Sequence, residues 1–130
     1  MIVLDASVLI GYLDGDDAHH RAAEALLAAA VDNEIGVNQL TLAEVLVVPA
    51  RDGRLEAVLE AMRDLEVVEL AFPPDAASRL AHLRVATGLK MPDCCVLLSA
   101  EVADATVASF DDRLLEAAET RGRAVTKGPT

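Results

Sequence analysis

The chain is poor in aromatic residues and cysteines, and both scarcities restrict the kind of protein it can be. Aromatic residues make up 2% of 130 residues, so a core must be built from Leu, Val, Ile and Ala side chains. Cys94 and Cys95 are the only cysteines, and they are adjacent. This pattern argues against a disulfide framework or a zinc site and predicts buried, reduced thiols.

Long apolar segments are also missing. The longest unbroken apolar run, residues 25–31, has seven residues, whereas a membrane-spanning helix needs about 20. The first residues reach Asp5 without a basic flank and are unlike a signal peptide. Together with the reduced cysteines, these features predict a cytoplasmic protein that makes no contact with a membrane.

Basic residues are outnumbered two to one, with 11 Lys and Arg against 22 Asp and Glu, for a net charge of −11. This balance argues against a protein that grips nucleic acid through a broad basic surface. It fits a local acidic cluster that needs cations, a basic partner protein, or simply a solvated acidic surface. Net charge alone does not choose between these three.

Apolar periodicity predicts one domain, residues 1–130, in which strands alternate with helices. The predicted strands cover residues 2–4, 35–37, 67–70, 105–108 and 124–125. The predicted helices cover residues 6–13, 19–31, 41–48, 55–62, 75–87, 92–102 and 111–121; the third ends near Pro49 and the fifth is capped by Gly88. The alternation indicates an α/β fold with a mostly parallel sheet. In such sheets the functional crevice lies at the carboxyl ends of the strands, where Asp5 and Asp111 are placed.

Four acidic residues stand out, although each has a local structural explanation. Asp5 and Asp111 each precede a helix and could serve only as N-caps. Thr41 and Glu44 match the capping box, in which Glu reaches back to the Thr backbone. Asp93 lies in a first helical turn, where the helix dipole favours an acid. Spacing alone leaves these alternatives open.

The four acids lie in short motifs: Asp5-Ala6-Ser7, Thr41-x-x-Glu44, Lys90-Met91-Pro92-Asp93 and Ser109-Phe110-Asp111. In this order and spacing, over nearly the whole chain, the set resembles the signature of PIN-domain nucleases, and most closely that of VapC-type toxins of bacterial toxin–antitoxin pairs. Each motif is short, and only the ordered set is specific. Ser109 departs from the threonine more common in the family but keeps the hydroxyl.

The resemblance implies a PIN-like three-layer fold with strand order 3-2-1-4-5 and helices on both faces. It implies a metal-dependent endoribonuclease, the toxin of a type II toxin–antitoxin pair, which hydrolyses RNA phosphodiester bonds with metal-activated water. One or two Mg²⁺ or Mn²⁺ ions are expected, because carboxylates suit hard cations whereas zinc would favour His or Cys. A cognate antitoxin and a homodimer are the expected protein partners.

The same resemblance assigns roles to residues. It makes Asp5, Glu44, Asp93 and Asp111 the catalytic residues and metal ligands. Hydroxyls of Ser7, Thr41 and Ser109 are expected to orient carboxylates by hydrogen bonding. For Asp112 an exposed first-turn acid is the stronger interpretation, and a residue that assists or replaces Asp111 is the alternative. Independently of the resemblance, Lys90 and Arg113, with Arg51 and Arg54 after them, are candidates for phosphate contacts, and solvated helix ends explain these residues equally well. His19, His20 and His82 are predicted to be surface residues.

Two other functions compete with the nuclease. The first is a non-catalytic PIN-like module that only holds a partner; retention of all four acids argues against it. The second is a phospho-acceptor receiver domain, which would need an acidic pair after the first strand, where this chain has only Asp5. If the toxin resemblance holds, an antitoxin is expected to lie in a groove between helices 22–31 and 41–48. Its Arg or Lys is expected to reach Asp5 and Asp93.

Overall fold

The computed structural model of the protein describes residues 1–129. The strands are β1 (Ile2–Leu4), β2 (Ile35–Asn38), β3 (Val67–Leu70), β4 (Thr106–Ala108) and β5 (Val125–Thr126). The helices are α1 (Ala6–Leu13), α2 (His20–Ala29), α3 (Gln39–Arg51), α4 (Leu55–Asp64), α5 (Ala76–Thr87), α6 (Met91–Ala103) and α7 (Asp112–Thr120). None of the helices within these residues is long and apolar enough to cross a membrane.

The five strands form one sheet in the order β3-β2-β1-β4-β5, which confirms the predicted order. Every neighbouring pair is parallel. The central strand β1 places Val3 level with Gly36 on one side and Val107 on the other. The carboxyl ends of β1, β2 and β4 therefore meet at one edge of the sheet, where the chain enters α1, α3 and the segment before α7.

Helices cover both faces of the sheet, as a three-layer fold requires. Along β1, Ile2 and Leu4 pack into a core shared with α1 to α4, whereas Val3 packs into a second core shared with α5, α6 and α7. This alternation is the ordinary consequence of successive strand side chains pointing to opposite faces. The second core contains Cys94, and both cysteines are buried and unpaired thiols, as predicted.

Two predicted boundaries in the second strand and third helix were wrong. Strand β2 continues through Asn38, and α3 continues past Pro49 to Arg51. A proline removes one helical N–H donor. Pro49 is buried and lies in the last turn, and the helix continues for two residues beyond it. Its carbonyl still accepts a hydrogen bond from the Arg54 N–H at 2.8 Å, which closes the connection to α4.

Candidate active site

The ends of β1 and β4 are joined through Asp5 and Ser109. The Ser109 hydroxyl donates a 2.5 Å hydrogen bond to Asp5 Oδ2 and accepts a 2.8 Å bond from the Asp111 N–H. The Asp5 N–H donates to the Ala108 carbonyl at 3.2 Å, so the two strand ends are also linked through the backbone. Ser109 therefore fixes the direction of the Asp5 carboxylate and the start of the loop that carries Asp111.

The second oxygen of Asp5 is held from its own helix. Oδ1 accepts bonds from the Ser7 hydroxyl at 2.6 Å and from the Val8 N–H at 3.2 Å. Asp5 is therefore the N-cap of α1, and only 6% of the residue is exposed. Burial raises the pKa of Asp5, and nearby Asp111 raises it further, although the bonds from Ser109, Ser7 and Val8 act in the opposite direction.

Asp93 lies in the first turn of α6, and all three of the other candidate acids contribute to its raised pKa, after burial. Burial is the largest cause that raises the pKa of Asp93, followed by the charges of Asp111 and Asp5, with a smaller contribution from Glu44. Lys90, three residues earlier, lowers it. Asp111, Asp5 and Glu44 thus lie close enough to Asp93 for their charges to raise its pKa, after the larger effect of burial. That all four carboxylates line one pocket stays a prediction.

Glu44 is free of the capping box that its sequence suggested. The N-cap of α3 is Asn38, whose Oδ1 accepts the Thr41 N–H at 2.8 Å. Within residues 1–129, no hydrogen bond joins Glu44 back to Thr41. The capping-box alternative is therefore wrong. Thr41 itself is buried, and Glu44 lines a cavity formed by α1, α3 and α4.

Asp111 and Asp112 have different surroundings despite being adjacent. Asp111 caps α7: its Oδ1 accepts the N–H groups of Arg113 at 2.9 Å and Leu114 at 3.4 Å. Asp112 has a side chain that is 86% exposed and lies 3.8 Å from Lys127 Nζ. This placement favours the alternative in which Asp112 is an exposed first-turn acid.

Sequence reasoning did not identify two features beside the acids. Asn38 is completely buried, and its Nδ2 is the one buried side-chain polar atom in residues 1–129 without a partner. The preference for Asn at helix N-caps could have identified Asn38 as the cap of α3 from the sequence. The second feature is a stack of the His19 ring on Phe110, with ring centroids 4.7 Å apart. Phe110 lies in the middle of the last acidic motif, and that position could have drawn attention to it in the sequence.

The donor set suits a hard divalent cation in its chemistry. Carboxylates supply only oxygen ligands, and buried acids with raised pKa values gain from a nearby positive charge. Among residues 1–129, however, no three His, Cys, Asp or Glu side chains already stand where they would hold one ion. Asp5 is held in place by Ser7 and Ser109.

A profile of the family described as the PIN domain matches residues 2–120. No curated protein matches the sequence significantly. The fold is similar to a toxin–antitoxin complex from Klebsiella pneumoniae (TM-score 0.77, 19% identity, 100% of both chains covered). It is also similar to FitAcB from Neisseria gonorrhoeae (0.72, 21%, 96% of each chain). A third similar structure is VapC20 of Mycobacterium tuberculosis, described as a sarcin–ricin loop cleaving toxin (0.73, 17%, 90% of this chain and 95% of that chain).

Proposed function

Because the family profile spans residues 2–120, the chain belongs to the PIN domain family, and from this premise we propose that it is a Mg²⁺- or Mn²⁺-dependent endoribonuclease. We further propose that it is the toxin of a type II toxin–antitoxin pair. The observation that carries the proposal is Asp93 at the carboxyl edge of the sheet, where burial first and then the charges of Asp111, Asp5 and Glu44 raise its pKa. The neighbour described as cleaving the sarcin–ricin loop supports RNA as the substrate.

In this proposal Asp5, Glu44, Asp93 and Asp111 hold one or two ions. A bound divalent cation supplies an activated water and neutralises charge on the phosphodiester. Asp5 contributes a carboxylate of fixed direction, because both of its oxygens accept hydroxyl hydrogen bonds. Ser7 and Ser109 keep that carboxylate from rotating as substrate binds, and a fixed orientation is what outer hydrogen-bond partners of metal ligands provide.

We assign the phosphate contacts beside this cluster to Lys90 and Arg113. Neither forms an ion pair within the described part of the chain, whereas six other basic side chains do: Arg51, Arg54, Arg79, Arg121, Arg123 and Lys127. Lys90 is close enough to Asp93 to lower its pKa, after the larger raising effects of burial, Asp111 and Asp5. Arg113 lines an open cavity of about 680 Å³ with Thr87 and Leu89, between α5 and α7. An RNA backbone that runs from the acids toward α5 and α7 therefore passes the positive charges of Lys90 and Arg113.

The Arg113→Gln variant is expected to bind single-stranded RNA with a weaker salt dependence. Each phosphate contact adds about 0.7 to the slope of log K against log salt for single strands, so loss of one contact should lower the slope by roughly that amount. The measurement is fluorescence anisotropy with a labelled oligonucleotide over a range of salt concentrations. Arg63→Gln, at the end of α4 across the sheet, is the matched control and should leave the slope unchanged. An unchanged slope in Arg113→Gln would remove this residue from the RNA path.

A cognate antitoxin is the protein partner that we propose. The groove that we propose for it is the cavity beside α3, which is lined by α1 and α4 and so differs from the groove between helices 22–31 and 41–48 predicted from the sequence. Ile10 and Val48 are partly exposed there, and Glu44 lies at the same cavity. An apolar helix seated in this groove brings a basic side chain close to the acids, where a guanidinium takes the place of a cation. The homodimer implied by the resemblance stays a prediction.

The test of the function is cleavage of RNA by the purified protein, freed of any antitoxin. With Mg²⁺ or Mn²⁺ present, we expect endonucleolytic products that disappear in EDTA and in the Asp5→Asn variant. EDTA-insensitive cleavage that survives in Asp5→Asn would contradict the metal mechanism. RNA binding without cleavage under any metal condition would favour the non-catalytic PIN-like module instead.

A further inference from the structure

The loop before α7 carries an aromatic ring, Phe110, that is held in a fixed position beside the acidic cluster. Phe110 lies between Ser109 and Asp111, and its N–H donates a 3.1 Å hydrogen bond to the Ser7 hydroxyl. That hydroxyl in turn donates to Asp5 Oδ1 at 2.6 Å. The ring itself is partly buried against the core on the α1 side of the sheet. Its position relative to the Asp5 carboxylate is therefore fixed through the backbone and through packing.

His19 covers this ring with a nearly parallel second ring. The two centroids are 4.7 Å apart and the planes differ by 20°. The His19 N–H donates to Asp17 Oδ1 at 2.8 Å, and its carbonyl accepts the Ala23 N–H at 2.8 Å. Gly11 permits the close approach of this segment to α1, since a Cβ there would lie 3.3 Å from the His19 carbonyl oxygen. The stack is thus held from both ends before any ligand arrives.

The outer ring of the stack is more than half exposed to solvent. The His19 side chain is 55% exposed, whereas Phe110 is partly buried beneath it. The chain has only three Phe, Tyr or Trp residues, and the other two, Tyr12 and Phe72, pack against the two hydrophobic cores. Phe110 packs against a core in the same way, so it is the exposed His19 ring on top of it that hydrophobic packing does not account for.

From this geometry we propose that His19, backed by Phe110, is a stacking platform for an unpaired nucleobase next to the scissile phosphate. The proposal rests on the ribonuclease function proposed above and narrows its substrate to RNA with an unstacked base at the cleavage site. Protein rings of this kind, His included, receive bases splayed from single-stranded loops. The preceding turn carries Asp14, Asp16 and Asp17, which repel phosphates. A base therefore meets this face, while the backbone lies toward Lys90 and Arg113.

The test compares binding of two probes that differ only in their bases: a short fluorescent oligoadenylate and the same ribose-phosphate chain without bases. Binding is measured by anisotropy in Mg²⁺ with the Asp93→Asn protein, so that the probes stay intact and the contacts of Phe110 are untouched. Base stacking on an aromatic side chain predicts that oligoadenylate binds about tenfold or more tightly than the abasic chain. His19→Ala in this background should lose most of that ratio without weakening abasic binding.

The controls separate stacking from a structural role. His19→Phe should keep the ratio, because it keeps a flat ring. His82→Ala removes an exposed histidine on α5, whose Nδ1 lies 3.0 Å from the Ser78 carbonyl, and should change nothing. An unchanged ratio in His19→Ala overturns the platform, and a lowered melting temperature alone would assign the stack to holding the loop. Equal binding of both probes also overturns the platform but leaves the ribonuclease proposal standing. Failure to bind either probe, together with absence of RNA cleavage by the wild-type protein, overturns both.

Discussion

The Asp93→Asn variant is expected to lose RNA cleavage by at least about 10²-fold while remaining folded. Even residues that only support metal ligands change metal affinity or activity by 10–100-fold, so loss of a ligand carboxylate should cost no less. Asn has nearly the same shape but no charge, and within residues 1–129 no serine is hydrogen-bonded to Asp93 that the amide would disturb. Asp5→Asn is the less clean variant, because its amide would face the hydroxyls of Ser7 and Ser109. The measurement is single-turnover cleavage of a labelled RNA beside circular dichroism.

The same substitution should raise the melting temperature of the metal-free protein at neutral pH. The pKa of Asp93 is raised in the folded protein, by burial first and then by Asp111 and Asp5, so its ionised form opposes folding above that pKa. As pH falls through the raised pKa, the carboxyl takes up a proton and the penalty disappears. The stability advantage of Asp93→Asn should therefore be present at neutral pH and vanish in acid. A variant that melts lower at neutral pH would mean that Asp93 stabilises the fold, contrary to this account.

Addition of Mn²⁺ should raise the melting temperature of the wild-type protein by roughly 10 °C when the ion is at about one hundred times its dissociation constant. A ligand that binds only the native state adds about 2.7 kcal/mol under that condition, and each kcal/mol shifts a domain of this size by about 4 °C. Relief of repulsion among Asp5, Asp93 and Asp111 is the structural source of the gain. Differential scanning fluorimetry with EDTA as reference measures it.

Two variants test whether this thermal shift arises from Mn²⁺ bound at the acidic cluster. Asp93→Asn should lose most of the Mn²⁺-dependent shift, whereas Asp64→Asn, an exposed acid at the end of α4, should retain it. The comparison matters because a chain of net charge −11 attracts cations everywhere. Equal shifts in wild-type, Asp93→Asn and Asp64→Asn proteins would indicate diffuse screening of charge and would contradict a metal site at these carboxylates.

The sequence by itself determined the order of helices and strands and the edge of the sheet that carries the acids. Apolar periodicity is local, so it defined α1 as residues 6–13 and placed β1 directly before Asp5. Parallel strands point their carboxyl ends to one edge, and this rule brought Asp5 and Asp111 near each other without any knowledge of packing. The resemblance added the strand order, which the sheet confirms. The catalytic and metal-binding roles of the acids stay proposals.

Only the tertiary structure decided which side chains act on the acids. Ser109 meets Asp5 across 104 positions of sequence, and no local pattern contains a hydrogen bond between residues so far apart. Thr41 looked like a helix cap, yet Asn38 caps α3, because β2 continues one residue further than its apolar pattern and delivers Asn38 to the helix start.

The exposed and stacked residues were decided in the same way. The sequence predicted His19 to be an ordinary surface residue. Its stack on Phe110 could not be foreseen, because the segment of Phe110 reaches His19 only when β4 lies beside β1. Asp112 differs from Asp111 in its contacts, because the Asp111 carboxylate caps α7 whereas that of Asp112 lies 3.8 Å from Lys127 Nζ. Periodicity and capping preferences describe a residue's own segment. The direction of a side chain and its distant partner depend on how separate segments pack, and that information exists only in the folded chain.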